Sequence, residues 1–125
     1  MANPILGSWQ LISMTSKDHE GNLSYPMGEN PIGIIMYNET TMSAILSCHH
    51  NDLDKDLLHH VSYAGTYDAK DGKAYHHVSV SSEPTWPGRS LERNFSITND
   101  ILKIWCHEKL NDQEFELVLI WKKIT

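Results

Sequence analysis

Turn-forming residues interrupt this chain at short intervals along almost its whole length, and the stretches between them are short, alternating and β-rich. The breaks fall at 18–22, Asn38-Glu39-Thr40, Asp71-Gly72, 84–88, Asn99-Asp100 and Asn111-Asp112, all built from residues that tolerate turn conformations. They bound eight segments, at 7–15, 31–37, 42–47, 62–68, 73–81, 90–98, 101–108 and 114–123. Successive strand side chains point to opposite faces, so Trp9/Leu11, Met42/Ala44/Leu46, Leu102/Ile104/Cys106 and Leu117/Leu119/Trp121 supply one continuous inner wall. Segments 31–37 and 114–121 are apolar on both faces, which leaves their inward parity open. Strands joined by short turns expose their edges unless the sheet closes. The prediction is therefore an all-β, eight-stranded antiparallel up-and-down barrel with a central pocket, a two-sheet sandwich being the alternative. Such a barrel has room for one small ligand. One stretch breaks the pattern. In 51–60 the residues Leu53, Leu57 and then Val61 fall at i, i+4 behind Asn51 as N-cap and an acidic first turn, predicting one short helix before the fourth strand.

A chain of 125 residues can bury one sizeable core but not two, so a single domain over 1–125 is expected. Its formal charge is −6 and it has no Lys/Arg run, which argues against nucleic acid or an anionic membrane as partner. It has no apolar run long enough to span a bilayer, and its start lacks the basic region and long apolar stretch of a secretory signal. A cytoplasmic address is expected, with Cys48 and Cys106 as reduced, buried thiols. The expected partner is a small molecule, and self-association into a homodimer stays open.

Two segments place a strongly polar side chain on an apolar face. His76 shares its strand face with Val78 and Val80, and Arg93 shares one with Leu91, Phe95 and Ile97. An unpaired charge in an apolar interior is very costly, so a ligand cavity is the natural reason for both. There His76 would move a proton, since its ordinary pKa lies near neutrality. Arg93 would clamp a carboxylate, enolate or carbonyl oxygen. The structural alternatives are a core His satisfied by a tyrosine or a backbone carbonyl, and an Arg93 ion pair with an inward acid such as Glu116. Tyr63 and Tyr67 share a face around Gly65 and could bind substrate through their hydroxyls, or Gly65 could simply relieve crowding at a barrel bend. Trp86, in a turn rich in Pro and Gly, would cover the pocket mouth or cap the core, and Tyr37 is a further candidate in the pocket.

The pairs His49-His50, His59-His60 and His76-His77 invite a metal. Adjacent strand residues face opposite sides, however, so each pair gives an interior site at most one of the three or four ligands that zinc needs. No metal and no cofactor are expected. The sequence has no Gly-x-Ser-x-Gly elbow, phosphate loop or dinucleotide fingerprint, which removes the commonest hydrolase, kinase and dehydrogenase chemistries.

An ordered set of motifs resembles the lipocalin-like domain family of short single-domain barrels. It runs from Leu6-Gly7-Ser8-Trp9-Gln10-Leu11 through Tyr25-Pro26-Met27-Gly28-Glu29-Asn30-Pro31-Ile32-Gly33, Tyr37 and Tyr63-Ala64-Gly65-Thr66-Tyr67. It continues with His76-His77-Val78-Ser79-Val80-Ser81, Pro84-Thr85-Trp86-Pro87-Gly88 and Arg93, and ends at Trp121-Lys122-Lys123. Two positions depart from the family pattern: Thr85 replaces an Asn, and Lys stands where a lipocalin-type Arg commonly packs on the first-strand Trp. The resemblance implies a barrel with a central pocket. Some members look like cofactor-free cyclases or isomerases of natural-product pathways, although fold alone does not dictate function. The expected activity is the cofactor-free cyclisation or isomerisation of a small, mainly apolar, oxygenated polyketide or terpenoid, with His76 and Arg93 catalytic and Tyr63, Tyr67, Trp86 and Tyr37 binding substrate. The alternatives are a non-catalytic carrier with the same pocket and an interaction protein docking through the 51–60 helix.

Overall fold

In a computed structural model describing residues 3–110 and 112–125, the predicted segments form a closed, all-antiparallel eight-stranded barrel. In chain order the strands are β1 (Gly7–Asp18), the short β2 (Leu23–Ser24), β3 (Ile32–Tyr37), β4 (Thr41–Ser47), β5 (His60–Lys70), β6 (Lys73–Ser81), β7 (Ser90–Thr98), β8 (Ile101–Leu110) and β9 (Gln113–Lys123). Each pairs with the next around the barrel from β1–β3 onward, and β1 pairs with β9 to close it. The two-residue β2 lies outside this cycle on the far end of β1, with Ser16 opposite Ser24.

Local chemistry sets the turns. Asp71 and Gly72 both take positive φ, 53° and 77°, the conformation a two-residue hairpin turn requires between β5 and β6. Between β3 and β4 the Asn38 side chain accepts from the backbone N–H of Thr40 and Thr41 and from the Thr41 hydroxyl. Asn111, half of the last predicted turn, lies outside the described residues; its neighbour Asp112 is left-handed, at φ 64°.

Two bulges break the period of 2 and redirect side chains. On β1, Ile12 is the extra residue between Leu11 and Ser13, so Trp9 and Leu11 face inward before it, and Met14 and Ser16 after it. On β6, Ser79 is the extra residue. His76 and Val78 are buried, but Val80 is turned out to 62% exposure, which corrects the expectation that Val80 shares their face. The open parity of 31–37 resolves with Gly33, Ile35 and Tyr37 inward and Ile32, Ile34 and Met36 outward.

The predicted 51–60 helix does not form. A 3-10 turn covers His50–Asp52 alone, capped by the His49 side chain rather than by Asn51, and irregular chain leads from it into β5. Leu57 packs on the core, but Leu53 and Leu58 stay 53% and 46% exposed, so no apolar stripe holds a helix down. The strand claims the other end: His60 and Val61 pair with Ser47 and Leu46.

One end of the barrel is sealed by Trp9, Leu102 and Trp121, with Ile5 packed beneath and its carbonyl accepting from Trp9 Nε1 at 3.0 Å. Over the other end fold the segments carrying Met27, Cys48 and Leu57, tied together by Leu58 N–H to Pro26 O and Cys48 N–H to His59 O. Among the described residues no helix is long and apolar enough to cross a membrane.

Candidate functional site

The inner wall carries a polar chain through its apolar core. His76 on β6 is 1% exposed and both its ring nitrogens meet tyrosine hydroxyls: Nε2 lies 2.7 Å from Tyr37 Oη and Nδ1 2.8 Å from Tyr63 Oη. A neutral imidazole has one donor and one acceptor nitrogen, so one tyrosine donates to it and the other accepts from it. The imidazole is held neutral: burial, then the Arg93 and His77 charges, push its pKa down to about 3. Burial also raises both phenols, Tyr37 well above its ordinary value, while the nearby Arg93 charge holds Tyr63 back.

Register explains the grouping. Tyr67 opposes His76 across β5–β6, Leu91 opposes His76 across β6–β7, and Ala74 opposes Arg93. The small Ala74 leaves space for the guanidinium on the inner wall. Arg93 is 13% exposed at its side chain, lies beside Tyr63, and has Nη1 3.5 Å from Glu108 Oε1 and 3.4 Å from Glu92 O. The acid beside it is Glu108 rather than Glu116, the example offered with the ion-pair alternative; Glu116 instead faces His107 at 3.6 Å. Trp86, from the β6–β7 connection, meets Tyr63 edge-on at 5.5 Å and is partly buried against the core.

Tyr67 stands apart from this group in its polar contacts. Its hydroxyl donates to Asn38 O at 2.6 Å and accepts from Asn3 at 3.0 Å, while its ring packs edge-on against Tyr37. Gly65 is set by backbone packing: any Cβ there would run into the His77 carbonyl at the bulge. His77 faces away from His76, onto Asp68 at 2.8 Å and Ser90 at 2.7 Å. Among the described residues no three His, Cys, Asp or Glu side chains gather where a metal could bind. Cys48 and Cys106 are buried free thiols, and burial pushes the Cys106 thiol up.

Three polar residues of the barrel wall were missed by reading the sequence. Glu108 has a visible signal, since it continues the inward parity of Leu102, Ile104 and Cys106. Ser16, 5% exposed and inward, is hidden by the Ile12 bulge. Asn94 acts through its side chain, which donates to Trp105 O at 3.3 Å where the β7–β8 ladder stops.

Two concavities among the described residues can be placed relative to this group. The larger, about 670 Å³, lies on the outer wall among Ser8, Met36, Ser43, Ala64, Thr66 and Val80, and neither His76 nor Arg93 reaches it. The smaller, about 270 Å³, lies between β7 and β8 with Arg93, Cys106 and Glu108 in its lining.

Comparison with curated proteins and with solved structures finds no match. The lipocalin-like domain family matches residues 6–51 and 40–124, nearly the full length in two overlapping stretches. With its closed antiparallel barrel, a fold suited to holding small molecules, the chain belongs to the lipocalin-like domain family.

Proposed function

We propose that this protein binds a small, mainly apolar, oxygenated molecule in its barrel and promotes its isomerisation or cyclisation without a cofactor, by proton transfer through Tyr63, His76 and Tyr37. A polyketide or terpenoid intermediate with an enolisable carbonyl fits this chemistry. One arrangement supports the reading: a buried, neutral His76 bridging two tyrosine hydroxyls. As water takes the α-carbon proton, Tyr63 gives its proton to the ligand oxygen, the Nδ1 proton of His76 moves to Tyr63 and the Tyr37 proton moves to Nε2; water then returns the α-carbon proton to Tyr37, so that the chain ends neutral with the imidazole proton on Nε2. Run in reverse, the same chain accepts a proton. Arg93, beside Tyr63, stabilises the negative charge that develops on the oxygen. His76 thus acts behind a tyrosine and does not touch the ligand.

The test is solvent-deuterium exchange at the α-carbon of an enolisable ketone such as 2-tetralone, followed by NMR. Wild type should exceed the buffer rate, and His76→Gln and Tyr63→Phe should lower that excess by roughly 10²–10⁴, the scale of a proton-transferring group. Thermal melts would show that the variants fold.

A carrier is the second reading, favoured by the same bridge. With both ring nitrogens occupied, His76 also serves as a polar strut that needs no chemistry. Ligand binding with no exchange above buffer in wild type would establish the carrier and remove the enzyme.

A further inference from the structure

The barrel wall is split between β7 and β8. β8 pairs with β9 over its whole length, from Ile101↔Lys122 to Leu110↔Gln113, but β7 pairs with β8 only from Thr98↔Ile101 to Asn94↔Trp105. Beyond Asn94 the facing edges, 90–93 and 106–110, carry no ladder. The split is built in: the Asn94 side chain takes the Trp105 carbonyl, and Arg93 Nη1 approaches the Glu92 carbonyl at 3.4 Å. The resulting cleft of about 270 Å³ runs from the surface to the Arg93 guanidinium.

That guanidinium is poorly used. It has five N–H donors, and apart from the Tyr63 hydroxyl its contacts, with Glu92 O at 3.4 Å and Glu108 at 3.5 Å, lie at the long limit of hydrogen bonding. Its acidic partner Glu108 is 41% exposed, so water already competes for that carboxylate. The other acid of the cleft, Glu92, is paired with Lys73 at 3.5 Å. Arg89 adds a second guanidinium to the cleft lining. A planar oxyanion presented to Arg93 would make two short, charge-assisted bonds in place of one long one.

We propose that the β7–β8 split admits a ligand bearing a carboxylate or equivalent oxyanion, which displaces Glu108 and anchors on Arg93, leaving its apolar part against Leu91 and Cys106. The proposal rests on the small-molecule reading of the barrel and adds the charge of the ligand and its route in.

A matched pair of fluorescent probes separates the two: 1-anilinonaphthalene-8-sulfonate carries an anionic group, and N-phenyl-1-naphthylamine is the same skeleton without it. Both should bind wild type. Glu108→Gln should tighten the sulfonate probe roughly two- to fivefold, the range of a half-exposed ion pair, and leave the neutral probe unchanged. Arg93→Gln should weaken the sulfonate probe about tenfold or more, as expected for lost bonds to a charged group, again sparing the neutral probe. Arg93→Lys, which keeps the charge, should restore part of the loss, and thermal melts would identify any variant that fails to fold. A sulfonate affinity blind to Glu108→Gln, or both probes shifting in parallel, would overturn the anion site while leaving a small-molecule barrel standing. A neutral probe that binds wild type beside a sulfonate probe that does not would likewise overturn the anion site alone, and failure of both probes to bind would take down both readings.

Discussion

At the scale of single residues, His76 ties stability to pH. Its ordinary pKa near 6.5 falls to about 3 in the fold, because burial and the Arg93 and His77 charges oppose the imidazolium. Above pH 6.5 both folded and unfolded chains hold it neutral and it adds no pH dependence. Below 6.5 the unfolded chain takes a proton that the folded chain refuses, so stability falls as the pH falls, by at most about 1.4 kcal/mol per pH unit, until about pH 3. Urea unfolding from pH 7.5 to 4 should show this slope in wild type. In His76→Gln it should shrink to what the acids contribute; an identical slope in the two proteins would mean that His76 protonates in the native state. The placement of this residue was legible in sequence because strand parity puts it with Val78. Its partners were not, since which phenol reaches which ring nitrogen depends on strands 39 and 13 residues away in sequence.

At the scale of elements, seven predicted strand segments lie within observed strands, and the one beginning at Pro31 overruns its strand by that single residue; the strand bounds moved by at most three residues. What a period of 2 cannot show is an inserted residue. The bulges at Ile12 and Ser79 each reverse the faces beyond them, which is why Val80 and Ser16 fall on faces opposite to a straight reading. The 51–60 stretch misled for a different reason. Its i, i+4 leucines have the spacing of a helix, but ten residues rich in Asp and His make an isolated helix marginal, and tertiary packing engages Leu57 without Leu53. With no helix present, the idea of a partner docking on one loses its scaffold. The β6 bulge yields a prediction. Because a Cβ at Gly65 would collide with the His77 backbone, Gly65→Ala must push β5 and β6 apart, at a cost of roughly 1–3 kcal/mol. Gly21→Ala is the control: its φ of +88° brings strain, but no atom lies within 4 Å of the added methyl. Thermal melts should show Gly65→Ala the worse of the two, and the reverse order would rule out the backbone collision as the reason for glycine at 65.

For the whole molecule, the decisive contact is the one that joins the two ends of the chain. β1 and β9 pair from Trp9↔Lys123 to Asp18↔Phe115, joining the two ends of the sheet into a closed barrel. At the floor of that seam, Lys123 Nζ lies 4.9 Å from the centre of the Trp9 ring and 3.0 Å from the Leu6 carbonyl. The lysine thus fills the place that an arginine commonly takes over this tryptophan in lipocalins, with a point charge instead of a planar fork. Gly7, between the two partners, is glycine because its φ is +121° and a Cβ would run into the Thr125 carbonyl; the ammonium would lie 3.3 Å from that Cβ. A cation over an aromatic face contributes about 0.5–2 kcal/mol and a charged donor on a carbonyl about 1.5–3 kcal/mol, both reduced by the partial exposure of the group. Lys123→Met, which keeps the chain length and removes the charge, should therefore lower the free energy of unfolding by roughly 1–3 kcal/mol in urea titration. Lys123→Arg should stay within about 1 kcal/mol of wild type, because it restores both the cation over Trp9 and the donor to Leu6. If Lys123→Met unfolded at the wild-type midpoint, backbone pairing and apolar packing alone would hold the seam. If Lys123→Arg were as damaging as Lys123→Met, shape at the crowded floor, not charge, would decide which residue closes this barrel.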